Sequence, residues 1–260
     1  MTHGLRENVP RPAASKPATS SSRAAAVSVM GLAFPNTLGL AAGFDRTGEL
    51  LPSLLTRGFG HVEIGTLTPS TGQAGALARG ARPMRVGINI GSDRPGLDER
   101  VIADYIWMLE RASKVGDYVV ANLTASGLHR DGNTAGVETL VRRLAVTRGV
   151  CEAVLGRRLP LLLKIEGGAH HAPFPAAIMA ARLHGLDGVV LVSDCLDRIR
   201  AVSEYLNGSA VISVGGVRAA GDVRARLAAG ASLVQVHRVF ADCGPARIRR
   251  ILRDLATRSA

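Results

Sequence analysis

The chain has 260 residues, 47% of them hydrophobic but only 3% aromatic, and a formal net charge of +11. That length suits one α/β barrel with a core of Val, Leu, Ile and Ala, while the shortage of rings argues against stacking on single-stranded nucleic acid. No apolar run reaches the roughly 18 residues of a membrane span, and Cys151, Cys195 and Cys243 stand far apart, without CxxC or zinc-ligand spacing.

Residues 1–26 are rich in Pro, Ser, Ala and Arg. Their composition predicts a disordered leader, and residues 27–260 are expected to form a single barrel domain. The leader lacks the apolar stretch of a secretory signal, so a cytoplasmic location with reduced thiols is expected. The arginines are scattered rather than clustered, so neither a nucleic-acid partner nor stable membrane insertion is expected. A homo-oligomer or a partner protein stays open.

Eight short apolar runs follow: TLGLAAG (37–43), HVEIGT (61–66), RVGINIG (85–91), DYVVANLT (117–124), LPLLLKI (159–165), GVVLVS (188–193), AVISVGG (210–216) and LVQVHR (233–238). They are near-continuous rather than alternating, the pattern of strands covered on both faces. Helical periodicity fills most of the gaps. Val137, Leu140, Val141 and Leu144 recur at helical spacing, as do Ile248, Ile251, Leu252 and Leu255, with Gly244-Pro245 as the start of the last helix. Residues 220–230 form a short helix ending at Gly230. Eight strands alternating with helices predict a parallel eight-stranded (β/α)8 TIM barrel. A doubly wound sheet is disfavoured because GLAAGF is not GxGxxG. The link 67–84 is Gly-rich and has no clear helix.

In such a barrel the chemistry gathers at the C-terminal strand ends. Read there, the chain offers Gly43-Phe44-Asp45-Arg46, Gly65-Thr66, Asn89, Asn122-Leu123-Thr124, Lys164, Ser193-Asp194, Gly215-Gly216 and His237-Arg238. Small or polar residues sit where each apolar run stops, so one polar ring can surround one small-molecule ligand. The glycine pair lets backbone N–H groups approach an anion, and Arg238 can add a bidentate contact. Lys164 follows a buried run and calls for an anion or a catalytic task. Asn89 and Asn122 donate and accept, which suits a flat heterocycle. Glu166, His170 and His171 follow the fifth strand, and His129-Arg130-Asp131 the fourth, as alternative acid/base loops. Adjacent histidines point different ways, so no metal site is expected.

The segments GLAAGFD, GFGHVEIGTLTP, GINIG, DYVVANLT, LLLKI, VGGV and AGASLVQV, in that order, resemble the class 2 dihydroorotate dehydrogenases over about residues 31–244. The resemblance implies an oxidoreductase of CH–CH bonds in pyrimidine biosynthesis, with FMN across the barrel mouth. It places Ala42, Gly43 and Thr66 along the flavin. It puts Asn89, Asn122 and Lys164 at the polar edge, and Gly215, Gly216, His237 and Arg238 at the phosphate. Arg46, Asn122 and Ser193 then fall at the substrate. The departures concentrate on the substrate side. Arg46 replaces the family lysine, and the long loop after GTLTP and the GGLSG loop are missing. The family's NxSSPNTxGLR reads NLTASGLHRDG, so its catalytic serine aligns with Ala125, leaving Thr124 or Ser126 to stand in beside Lys164. VSDC replaces TNTT, and His237-Arg238 replaces Tyr-Ser. The expectation is hydride transfer to flavin from an altered dihydropyrimidine-like substrate. The alternative is an inactive barrel that binds a ligand or a partner.

Overall fold

The computed structural model describes residues 26–72, 82–124 and 133–257. A short antiparallel hairpin opens the fold, β1 (Val27–Val29) and β2 (Leu32–Phe34). It is absent from the sequence expectation because three-residue strands leave no pattern to read. The barrel follows in chain order: β3 (Leu38–Asp45), α1 (Leu51–Leu54), β4 (His61–Leu67), β5 (Arg85–Ile90), α2 (Glu99–Ala112), β6 (Tyr118–Asn122), α3 (Thr134–Leu155), β7 (Leu161–Glu166), α4 (Ala176–Leu183), β8 (Gly188–Val192), α5 (Leu196–Leu206), β9 (Ala210–Val214), α6 (Ala220–Ala228), β10 (Leu233–Val236) and α7 (Arg238–Ala256). Strands β3 to β10 pair in parallel, each with the next, and β10 pairs back onto β3. All eight apolar runs fall on these eight strands.

Closure sorts the strand residues by alternation. In β7, Leu161, Leu163 and Ile165 face the helices and join the outer core, while Leu162 joins the interior cluster with Ala41, Val120, Val190, Ile212 and Leu233. The helices begin and end on local signals. Asp98 caps α2 by accepting from the Arg100 and Val101 amides, both at 2.9 Å, and Asn133 caps α3 through the Gly136 amide. Gly156, at φ 62°, ends α3 in the left-handed conformation that favours glycine.

The hairpin closes the barrel floor. Phe34 is fully buried in the interior cluster, edge-on to His61 with ring centroids 5.6 Å apart and tilted 6.4 Å from Tyr118. Those two residues open β4 and β6, so Phe34 lies at the N-terminal end and the C-terminal mouth stays open.

The last helix starts after Gly244-Pro245 as expected, Gly244 having non-helical backbone at φ 67°, and a short helical turn that the sequence did not suggest precedes it from Arg238; the two together are labelled α7. The strand β10 ends at Val236, and His237 takes the N-cap position of the helical segment that follows. His237-Arg238 is therefore the start of a helix as well as a strand end.

Candidate active site

The mouth holds a continuous side-chain network. The Thr66 hydroxyl donates to Asn89 Oδ1 at 2.8 Å, and Asn122 Nδ2 donates to Thr66 Oγ1 at 2.7 Å. Thr124 then donates to Asn122 Oδ1 through its amide at 3.0 Å and its hydroxyl at 2.8 Å. The Tyr105 hydroxyl, on α2, holds the Asn122 carbonyl at 2.5 Å. The tips of β4, β5 and β6 are thereby locked, with both amides in fixed orientation. Gly65, at φ 120°, passes so close to β5 that a Cβ there would sit 2.3 Å from the Asn89 carbonyl oxygen.

Lys164 is the register partner of Asn122 on β6 and Val190 on β8. It is half-buried, and among the described residues no group forms a hydrogen bond or ion pair with it. Its charge reaches two neighbours. It opposes the burial that pushes the Glu63 carboxyl upward, and it adds to the burial that holds His237 below its ordinary range. Arg238 depresses His237 further, while Asp242 acts in the opposite sense.

On the far side of the mouth a cavity of about 890 Å³ lies over β8, β9 and β10. Ser193, Asp194, Gly215, Gly216, His237 and Arg238 all line it. The glycine pair has φ of 116° and 64°, backbone that an L side chain rarely adopts. Behind it lies Arg226, a buried cation that the sequence reading missed. It donates to the Ser193 carbonyl at 2.8 Å, the Ser213 hydroxyl at 2.7 Å and the Gly215 carbonyl at 2.5 Å, tying two strand tips together. The start of α7 has no side-chain cap, and its first two residues, Arg238 and Val239, line the same cavity.

The other named residues fall as follows. Gly43 is exposed on β3 beside His237, whose Nε2 would lie 3.3 Å from a Cβ at that position, and Ala42 is buried next to it. Arg46 is exposed and makes no hydrogen bond or ion pair among the described residues. Ser193 Oγ accepts from the Cys195 amide and shapes the turn into α5. Ala125, Ser126 and His129-Arg130-Asp131 lie outside the described residues. His170 and His171 are exposed, with rings 4.5 Å apart. Their loop is pinned by the buried Arg198, which donates to the carbonyls of Gly167, Ala172 and Pro173. No group of three metal-ligating side chains occurs among the described residues.

Beneath the mouth lies a second feature absent from the sequence reading. Glu63 on β4 is fully buried inside the barrel, accepting from Gln235 Nε2 at 2.6 Å and Asn89 Nδ2 at 3.2 Å. Burial is the main reason its pKa is raised, against the pull of Lys164 and these two amides. An acidic residue inside an otherwise apolar strand run, HVEIGT, was the available signal.

Fold and mouth together define a (β/α)8 barrel with a polar, anion-ready site at the C-terminal end of its strands. A family model for dihydroorotate dehydrogenase matches residues 175–258. A dihydroorotate dehydrogenase (quinone) from Alkalilimnicola ehrlichii is 31% identical over 290 residues, covering 88% of this chain and 85% of that one. Its counterpart from Thermus thermophilus is 29% identical over 288 residues, covering 88% and 82%. DHODH from Eimeria tenella, solved in complex with ferulenol, has the same fold, with a TM-score of 0.73 over 95% of this chain and 85% of that one at 21% identity. The chain belongs to the class 2 dihydroorotate dehydrogenase family.

Proposed function

We propose that the chain binds FMN across the barrel mouth and works as a flavin-dependent oxidoreductase on a dihydropyrimidine-like substrate that differs from dihydroorotate. The observation that carries the reading is Lys164, which has no hydrogen-bond or ion-pair partner among the described residues, beside the locked Asn89–Thr66–Asn122 network, with the glycine pair across the mouth from that network. The residues present suit the cofactor. Gly43 is exposed where a flat ring needs close backbone approach, Gly215-Gly216 leave room for a phosphate, and buried Gln235 keeps an unpaired acceptor under the mouth.

When bound, FMN supplies a hydride acceptor at N5. The chain's own residues then have separable tasks. Asn89 and Asn122 present fixed amides to a heterocycle edge. Lys164, on β7 next to Asn122, places a positive charge at the mouth, where it would stabilise negative charge that develops there. Gly215, Gly216, the first amides of α7 and Arg238 hold the phosphate, with Arg226 fixing the loop from behind. Arg46 and Ser193 are assigned to the substrate side.

The proton-abstracting group is the weakest part of the inherited machinery. Ala125 stands at the family serine, and the Thr124 hydroxyl is committed to Asn122. That observation favours an altered substrate, and it equally motivates the second reading, a barrel that binds its ligand or a partner without turnover. Visible absorbance of the purified protein and mass spectrometry of the small molecule released on denaturation test the cofactor; a colourless protein that cannot be reconstituted with FMN rejects it. Anaerobic mixing with dihydroorotate and with other dihydropyrimidines tests the substrate. Bleaching by one of the others supports the first reading, and bound flavin that none of them bleaches supports the second.

A further inference from the structure

Gln235 is fully buried on β10, and its two amide atoms meet different surroundings. Nε2 donates to Glu63 Oε1 at 2.6 Å, whereas Oε1 has no hydrogen-bond partner. Gln235 also lines the cavity over β8 to β10, with Val192, Val214, Gly215 and His237 around it. A buried amide oxygen without a donor is unfavourable, so a donor from outside the described side chains would complete it.

Glu63 fixes the orientation of the Gln235 amide. Both Glu63 oxygens accept in this arrangement, one from Gln235 Nε2 and the other from Asn89 Nδ2. The Gln235 oxygen is left without a donor. The ligand atom it meets must then be a donor. A phosphate has no proton to offer at neutral pH, and a flavin ring has one N–H, on the rim that the asparagines address. A polyhydroxylated chain carries several O–H donors. Gln235 also lies along the route such a chain would take. Its register partner on β9 is Val214, one residue before the glycine pair, and through Glu63 it reaches Asn89 on the opposite side of the mouth.

We propose that Glu63 and Gln235 form a buried selector under the mouth, in which Glu63 orients Gln235 and the Gln235 carbonyl accepts a hydrogen bond from the hydroxylated chain linking ring to phosphate. The assignment rests on the flavin reading and deepens it. Gln235 is the binding residue, and Glu63 is a positioning residue that acts through it.

The test uses three flavins on the full chain, with affinities read from flavin fluorescence: lumiflavin, which has the ring alone, riboflavin, which adds the polyol, and FMN. The wild type should bind riboflavin about tenfold more tightly than lumiflavin, the effect of one hydrogen bond. Gln235→Leu should erase most of that ratio while lumiflavin affinity holds. Glu63→Gln should also reduce it, because a neutral amide both donates and accepts and no longer dictates the Gln235 orientation. Equal riboflavin and lumiflavin affinity in the wild type overturns the selector, and so does a ratio that survives in both variants. If Gln235→Leu binds no flavin, the wild-type ratio and Glu63→Gln decide. Failure of the wild type to bind any of the three sinks the flavin reading itself.

Discussion

His61 shows how far the barrel interior departs from water. It is fully buried against Phe34, neither ring nitrogen has a hydrogen-bond partner, and burial lowers its pKa from 6.5 to about 3. The unfolded chain takes up a proton below about pH 6.5, whereas the folded chain keeps this ring neutral until about pH 3. The unfolded state therefore binds more protons across that window, and stability falls as pH drops through it. By pH 4.5 the loss from His61 alone should be about 2–3 kcal/mol. Urea unfolding at pH 7.5 and 4.5 checks this against His61→Leu, which should lack that component. Glu63, whose pKa is raised, acts in the opposite sense in both proteins, so their difference isolates His61. An identical pH dependence would refute the assignment.

At the scale of elements, glycines and large side chains interlock across neighbouring strands. A Cβ on Gly39 of β3 would lie 2.2 Å from His61 Nε2 on β4, and one on Gly87 of β5 would lie 2.3 Å from the Tyr118 ring on β6. Each glycine makes space for its neighbour's ring, and these contacts set the floor on which Glu63 and Asn89 rest. Gly39→Ala should destabilise the fold by about 1–3 kcal/mol through overpacking. Adding His61→Ala removes the clashing ring, so the double variant should be more stable than the two single losses summed. Strict additivity in denaturant midpoints would show that the pair is not coupled.

Across the whole molecule, the hairpin and Phe34 stopper one end of the barrel and leave the other as the place for a ligand. The inward-facing polar residues crowd toward that open end: Asn89, Asn122, Lys164 and Gln235, with Glu63 below them. Such a site gives a ligand leverage on the entire fold, because a group that binds only the native state stabilises all of it. FMN at 100 times its dissociation constant should add about 2.7 kcal/mol. That corresponds to a rise in Tm of about 5–10 °C for a chain of this size. Differential scanning fluorimetry with and without FMN reads it, and an unchanged Tm at saturating FMN would contradict the cofactor assignment. No helix among the described residues is long and apolar enough to cross a membrane.

The order of apolar runs and helical stretches was enough to specify the (β/α)8 barrel, and the residues at the ends of those runs marked its mouth, because strands sheathed by helices must be apolar on both faces. That same uniformity hid the interior. In HVEIGT nothing local says which side chains point inward, so Glu63 and His61 became interior residues only when β10 closed on β3. Register then decided the rest: Gln235 reaches Glu63 across 172 residues of sequence, and Arg226 reaches two strand tips from a helix. Hydrogen bonds of that separation depend on where the closed sheet places each residue, and that placement is a property of the whole barrel.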